Sequence, residues 1–201
     1  MKTPVEEIIP GIKNLRERTE YTGKLAMFNN LLSSNLVNMI DNAETQEKRE
    51  YLSTFIEGKI VVDLGAGSDA AGYYLAQLCG AGAYVGIEIC RAKMLRSSIE
   101  CLIQHSEQTP LPYAVISDDI RYALEQIPED SVSLFAFGLE AIILENKSND
   151  RPEIDREISR VLTHSGALFA SMYNALGHST LHHISKSGDW PQVLVKDKPE
   201  D

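Results

Sequence analysis

The sequence predicts an α/β protein with a doubly wound, mostly parallel sheet, and three observations carry this expectation. Short apolar runs typical of buried strands alternate with helical patterns along most of the chain. The first run, residues 60–62, leads into a tight turn that contains Gly65 and Gly67. The second run, residues 83–87, ends at an acidic residue, Glu88. Since ligands bind beyond the carboxyl ends of the strands in such sheets, the turn and Glu88 define a candidate site.

Two regions are expected along the chain. Residues 1–58 should form an N-terminal helical extension, and residues 59–201 should form the α/β domain. Within the extension, apolar residues recur at steps of three and four from Leu25 to Met39, which is one face of an amphipathic helix. A second, more polar helix should run from about residue 43 to 56 and stop at Gly58.

The turn is followed by a predicted helix over residues 70–78, and the remaining elements continue the alternation. Apolar stripes at helical spacing, β-branched runs and the flanking prolines place each of them. The expected order after Glu88 is a helix carrying Leu95, Ile99 and Leu102, a strand over 113–117, a helix over 120–126, a strand over 132–137, a polar loop over 146–152, a helix over 154–162 and a strand over 167–172.

The end of the chain is expected to be short. After Tyr173 we predict one helix-like segment and one strand, residues 192–195, before a charged tail. On the predicted helix, His178 and His182 would share one face. They could serve as a general base or bind a metal ion, but the sequence offers no third ligand, so no metal site is predicted. Solvent-facing histidines are the preferred interpretation.

Two classes of cofactor compete for the glycine turn. Residues 65–70 fit the loose dinucleotide pattern G-x-G-x-x-(G/A), and the strand-end acid Glu88 suits the hydroxyls of an adenosine ribose. A dinucleotide also needs its pyrophosphate on the helix N-terminus, where Asp69 lies. Asp63 adds a second negative charge. S-adenosylmethionine has an ammonium, a sulfonium and a ribose diol but no phosphate, so these carboxylates favour it. A third interpretation is that the segment binds no ligand and is a tight turn whose aspartates cap the helix that follows.

From residue 59 to 173 the chain resembles the class I S-adenosylmethionine-dependent methyltransferases. Besides the turn, residues 117–120 resemble the family's third-strand acid, residues 128–135 its entry into the fourth strand, and residues 157–168 its helix into the fifth strand. In that family, helices such as the N-terminal ones cover the cofactor, with Tyr21 and Phe28 as candidates here. The resemblance, together with the turn, implies cofactor contacts from Asp63, Gly65, Gly67, Glu88 and Asp119, with weaker support for Asp69, Ile120 and Gly138.

The resemblance implies a methyltransferase that acts on a small-molecule acceptor, and two alternatives stay open. No motif for methylating bases or glutamine is present, and Glu140 is the polar residue next to the fourth strand. The sequence therefore assigns no catalytic residue. Residues 132–134 and 164–166 also depart from the family pattern at the fourth and fifth strands. A non-catalytic cofactor-binding or scaffold protein is one alternative, and a nicotinamide-dependent (NAD) oxidoreductase is the other.

Composition limits the possible partners. The chain has 201 residues, 43% of them hydrophobic, and a formal net charge of −10. Such a charge argues against nucleic acid and anionic membranes as partners, because both attract cationic surfaces. The three cysteines form neither a metal-ligand pattern nor a disulfide framework, which is typical of a reducing, cytoplasmic setting. The sequence leaves the oligomeric state open.

Overall fold

A computed structural model describes residues 4–12, 44–137, 151–173, 179–185 and 192–193 of the chain. Within these residues, helices and strands alternate as the hydrophobic pattern predicts. The elements are α1 (Pro4–Ile8), α2 (Glu44–Ile56), β1 (Ile60–Leu64), α3 (Ala71–Leu78), β2 (Ala83–Ile87), α4 (Ala92–His105), β3 (Tyr113–Ile116), α5 (Ile120–Gln126), β4 (Ser133–Phe137), α6 (Arg151–Val161), β5 (Ala167–Tyr173), β6 (Ser179–Ser185) and β7 (Gln192–Val193).

The strands form one sheet in the order β3-β2-β1-β4-β5-β6-β7. Strands β1 to β5 are parallel to their neighbours, whereas β6 and β7 are antiparallel. The chain moves outward from β1 to β3 and then crosses back to β4 on the other side of β1. This reversal confirms the doubly wound sheet, and it opens a crevice at the carboxyl ends of β1 and β4.

Helices cover both faces of the sheet, as buried parallel strands require. Residues alternate along β1, so Val62 and Leu64 pack toward one cluster of apolar side chains while Val61 packs toward the other. The first cluster includes buried residues of α5 and α6, and the second includes buried residues of α2, α3 and α4. Helix α2 ends just before Gly58, whose φ of 69° is the left-handed conformation that commonly terminates a helix.

The predicted C-terminal helix is wrong, because β6 occupies that part of the chain. Strand β6 pairs with β5 over seven residues, from Ala167 opposite Ser185 to Tyr173 opposite Ser179. The exposed edge of β5 offers a row of unpaired backbone groups, and pairing with it overrides a weak local helical pattern. His182 therefore lies in a strand opposite Ala170 rather than on a helix face. The predicted strand at Gln192 is confirmed as β7.

Several predicted features lie outside the described residues. They are the amphipathic segment over 25–39, Tyr21, Phe28, Gly138, Glu140, residues 146–150 of the predicted loop and His178. The last two residues of that predicted loop, 151 and 152, are instead the first two residues of α6. Among the residues that the structure does describe, no helix is both long enough and apolar enough to cross a membrane.

Candidate functional site

The glycine turn joins β1 to α3 at the carboxyl end of the sheet. Gly65 has a φ of 65° and Gly67 a φ of 76°, a conformation that residues with a Cβ rarely adopt. Between them, the Ala66 N–H donates to the carbonyl oxygen of Ile87 at 3.1 Å. The two glycines therefore allow the chain to fold back against the end of β2, where the acidic residue follows.

Glu88 holds the turn in place because both of its carboxylate oxygens accept hydrogen bonds from backbone N–H groups. The Gly67 N–H donates to Oε2 at 2.9 Å, and the Cys90 N–H donates to Oε1 at 2.8 Å. The residue is 6% exposed, and each carboxylate oxygen has a further lone pair. Glu88 can thus hold the turn in place and still accept hydrogen bonds from two hydroxyl groups. The structure places Gly67 and Glu88 together, as the sequence predicts.

Asp69 lies at the N-terminal end of α3. Its Oδ1 accepts a hydrogen bond from the Ala71 N–H at 3.0 Å and so satisfies one of the free donors of the first turn. A negative charge here also interacts favourably with the helix dipole. A phosphate would compete with this carboxylate for the same N–H groups, so the geometry disfavours a pyrophosphate at this end of the helix.

Asp63 is a buried acid beneath the turn. It is 2% exposed, its Oδ2 accepts a hydrogen bond from the Tyr84 hydroxyl at 2.9 Å, and its Oδ1 is buried with no hydrogen-bond partner among the described residues. Burial raises the pKa of Asp63 to about 7, opposed by the Tyr84 hydrogen bond and reinforced by the charges of Asp69 and Glu88. Asp63 therefore lies in the core beneath the turn rather than on its surface.

Gly72 and Tyr84 are site residues that the sequence reasoning missed. A Cβ added at Gly72 would lie 2.0 Å from Asp63 Oδ2 and 3.2 Å from the Tyr84 hydroxyl oxygen. The absence of a side chain at position 72 lets α3 pass directly over the buried carboxyl group. A third glycine after Gly65 and Gly67 is the available signal, but its partners on β1 and β2 cannot be read from local sequence.

The turn is also anchored to α4, a contact that the sequence did not predict. The Ser98 hydroxyl donates to the carbonyl oxygen of Ser68 at 2.8 Å. Arg91, just before α4, places Nη1 3.5 Å from the Ser68 hydroxyl oxygen. Ser68 is thus held from the α4 side while Gly67 is held by Glu88.

Asp118 and Asp119 follow β3 at the same edge of the sheet. Asp119 caps α5, since its Oδ1 accepts from the Arg121 N–H at 3.0 Å and its Oδ2 pairs with Arg121 Nη2 at 2.7 Å. Asp118 is only 4% exposed, and its Oδ1 accepts from the Asp119 N–H at 2.8 Å. The carboxylate of Asp119, predicted to contact the cofactor, is thus engaged by α5 and Arg121. Ile120, the first residue of α5, packs partly buried against the core.

Replacing Asp119 with alanine should lower the free energy of unfolding by about 1 kcal/mol, because α5 loses its N-terminal cap. The Arg121 ion pair, at a partly exposed position, adds little to that loss. Urea denaturation of the Asp119→Ala variant measures the change, with Glu125→Ala on the exposed side of the same helix as control. Equal stability of the two variants would contradict the capping role.

Comparisons with known proteins give only distant similarities. No family profile matches the sequence, and no curated protein matches it. The structure is similar to precorrin-6y C5,15-methyltransferase of Geobacter metallireducens, with a TM-score of 0.47, 14% identity and coverage of 78% of this chain and 69% of that one. It is also similar to precorrin 8w decarboxylase of Methanobacterium thermoautotrophicum, with a TM-score of 0.46, 18% identity and coverage of 67% and 64%.

A third similar structure is a protein of Streptococcus mutans that is described as a candidate methyltransferase and was solved in complex with SAH. It has a TM-score of 0.44, 13% identity and coverage of 66% of this chain and 73% of that one. Other matching chains are longer, and this chain spans 58% and 47% of two of them. Two of these three similar proteins are described as methyltransferases.

Proposed function

We propose that the chain is an S-adenosylmethionine-dependent methyltransferase that acts on a small-molecule acceptor. One observation carries the proposal. Three carboxylates lie at the glycine turn: Asp63 is buried beneath it, Asp69 accepts from the Ala71 N–H at the start of α3, and Glu88 accepts from the Gly67 N–H. Such a site favours a nucleoside ligand that carries positive charge and no phosphate.

The residues of the turn fit S-adenosylmethionine. Glu88 has free lone pairs for the two ribose hydroxyls, and its position is fixed by the Gly67 and Cys90 amides. Asp63 is a buried acid whose Oδ1 has no partner in the part of the chain that the structure describes, so a nearby cation would stabilise its ionised form. NAD fits less well, because its pyrophosphate would meet the Asp69 carboxylate at the start of α3.

Methyl transfer from S-adenosylmethionine requires little of the protein beyond orienting the two reactants. The sulfonium of S-adenosylmethionine supplies an already activated methyl group, so the chain has to align donor and acceptor and exclude water. A fixed glycine turn contributes to that alignment. The net charge of −10 supports a small molecule over nucleic acid as the acceptor.

Calorimetric titration tests the cofactor proposal. We expect S-adenosylmethionine and S-adenosylhomocysteine to bind with micromolar affinity, and NAD to show no saturable heat under the same conditions. ADP serves as the control for a bare adenine nucleotide with phosphates. Saturable binding of NAD, with none of S-adenosylmethionine, would overturn the proposal in favour of the oxidoreductase alternative.

A labelling experiment tests the activity separately. The protein would be incubated with S-adenosylmethionine labelled at the methyl group and a small-molecule extract, with an unfolded sample as control. We expect label to leave the cofactor and appear in a low-molecular-weight product. Tight cofactor binding without transfer to any fraction would instead support the non-catalytic binding protein.

Replacing Asp69 with asparagine should change the preference between ligands. The side-chain oxygen can still accept from the Ala71 N–H, but the negative charge beside the helix N-terminus is lost. We expect affinity for S-adenosylmethionine to fall several-fold and affinity for ADP to rise, both measured by calorimetry. Glu125→Gln, on the exposed side of α5, is the charge-matched control. An unchanged ratio of the two affinities would show that Asp69 does not select against phosphate.

A further inference from the structure

We propose that Tyr84 is a positioning residue, whose hydroxyl holds the Asp63 carboxyl group beneath the glycine turn so that Asp63 ionises when a cationic ligand binds there. The inference rests on the proposed function only in that the ligand is taken to be S-adenosylmethionine. The role of Tyr84 in the ligand-free protein can be tested without any ligand.

The contact between the two residues is fixed by the fold. Tyr84 and Asp63 lie on adjacent strands, β2 and β1, and Tyr84 is fully buried. Its hydroxyl donates to Asp63 Oδ2 at 2.9 Å. The ring of Tyr73 packs edge-on against that of Tyr84, with centroids 5.7 Å apart and planes at 87°. Gly72 closes the space above the pair, so the hydroxyl and the carboxyl group have little freedom to separate.

The groups around Asp63 explain why its charge depends on a ligand. The turn contributes the Asp69 carboxylate, the end of β2 contributes the Glu88 carboxylate, and β2 itself contributes the Tyr84 hydroxyl. Helix α3 presents the backbone of Gly72 to the Asp63 carboxyl group, and the residue beside Asp63 on β4 is the apolar Phe135. Burial, reinforced by the two carboxylates and opposed by the Tyr84 hydrogen bond, holds the pKa of Asp63 at about 7, so near neutral pH about half of the molecules carry the proton.

A cation bound at the turn would offset the charges of Asp69 and Glu88 and stabilise ionised Asp63. The proton then passes from the Asp63 carboxyl group to the buffer as the ligand binds. The Tyr84 hydroxyl favours this step, because it donates to the oxygen that carries the charge. Binding should therefore weaken as the pH falls through 7. Without the Tyr84 hydroxyl, the pH at which binding weakens should be higher.

The first measurement follows Asp63 in the ligand-free protein. NMR of the protein labelled with ¹³C at the aspartate carboxyl carbon gives the titration of Asp63, assigned by comparison with Asp63→Asn. We expect a midpoint near 7 that moves up by about one pH unit in Tyr84→Phe, since a hydrogen bond to the carboxylate is lost. Tyr73→Phe is the matched control, because it removes a hydroxyl from a neighbouring buried tyrosine that, among the described residues, bonds the Leu111 backbone and not Asp63.

The second measurement is calorimetry of S-adenosylmethionine binding in buffers of different ionisation enthalpy at pH 7. We expect the wild type and Tyr73→Phe to release up to about half a proton, and Asp63→Asn to release none. As the pH is lowered, Tyr84→Phe should begin to lose affinity for S-adenosylmethionine at a higher pH than the wild type does. If Tyr84→Phe does not fold, the NMR signal of ¹³Cζ-labelled Tyr84 in the wild type tests the contact instead, since it should shift with the same midpoint as Asp63. The absence of such a shift would overturn the positioning role.

The outcomes separate this inference from the proposed function. A wild-type midpoint near 4, or one that does not move in Tyr84→Phe, would overturn the positioning role even if S-adenosylmethionine binds. Failure of the wild type to bind S-adenosylmethionine would overturn the proposed function, and with it the ligand-linked ionisation. Binding without proton release would overturn the ionisation alone.

Discussion

The Gly72→Ala variant is expected to lose about 3 kcal/mol or more of folding free energy, although the change adds a single methyl group. The new Cβ would lie 2.0 Å from Asp63 Oδ2, well inside van der Waals contact. Because that oxygen already bonds the Tyr84 hydroxyl inside the core, neither partner can move without opening α3 away from the sheet. Urea denaturation, monitored by circular dichroism, measures the loss.

Two further variants separate overcrowding from the general effect of replacing a glycine. At Gly58 the added Cβ has open space around it and only the φ of 69° is unfavourable, so Gly58→Ala should lose about 1 kcal/mol. The double variant Asp63→Ala/Gly72→Ala lacks the carboxylate oxygen that would clash with the new Cβ. It should therefore recover part of the lost folding free energy. A Gly72→Ala variant as stable as Gly58→Ala would contradict the close approach of α3 to Asp63.

Replacing Asp63 with asparagine is expected to remove a large part of the pH dependence of stability. The pKa of Asp63 is about 7 in the folded protein and 3.8 in its reference state. A raised pKa stabilises the fold fully below pH 3.8, and this contribution is lost as the pH rises through 7. The free energy of unfolding of the variant, relative to that of the wild type, should therefore increase by on the order of 4 kcal/mol between pH 4 and pH 8.

Urea denaturation of both proteins at a series of pH values measures this difference, with Glu125→Gln as a control in which an exposed carboxylate is lost. The asparagine amide can still accept from Tyr84, but its own donors lack partners, so the absolute gain is smaller than the change with pH. The variant should also bind S-adenosylmethionine more weakly. A stability difference that is constant from pH 4 to pH 8 would contradict the burial of an ionisable Asp63.

The fold and the outline of the site follow from local sequence signals. The β-branched run before the turn predicts β1, and the positive φ angles of Gly65 and Gly67 explain why those positions are glycine. The position of Glu88 at the end of β2 predicts its place beside the turn, which the hydrogen bond to Gly67 confirms. Asp69 is likewise found at the start of α3. In each case the signal lies within one strand–turn–helix–strand unit, residues 60–88.

What the sequence could not predict depends on contacts between distant elements. The pairing of Tyr84 with Asp63 and the role of Gly72 arise only when β1, β2 and α3 are packed together. The strand at Ser179–Ser185 forms because an edge of β5 is available, which no local pattern shows.

The central claim is that the glycine turn binds a cationic adenosine cofactor and rejects a dinucleotide. A crystal structure of the protein grown with equal excess of S-adenosylhomocysteine and NAD tests this most directly. We expect the ribose hydroxyls of S-adenosylhomocysteine to lie within hydrogen-bonding distance of the Glu88 carboxylate, with no phosphate at the start of α3. A pyrophosphate bound to the N–H groups beside Asp69 would contradict the account.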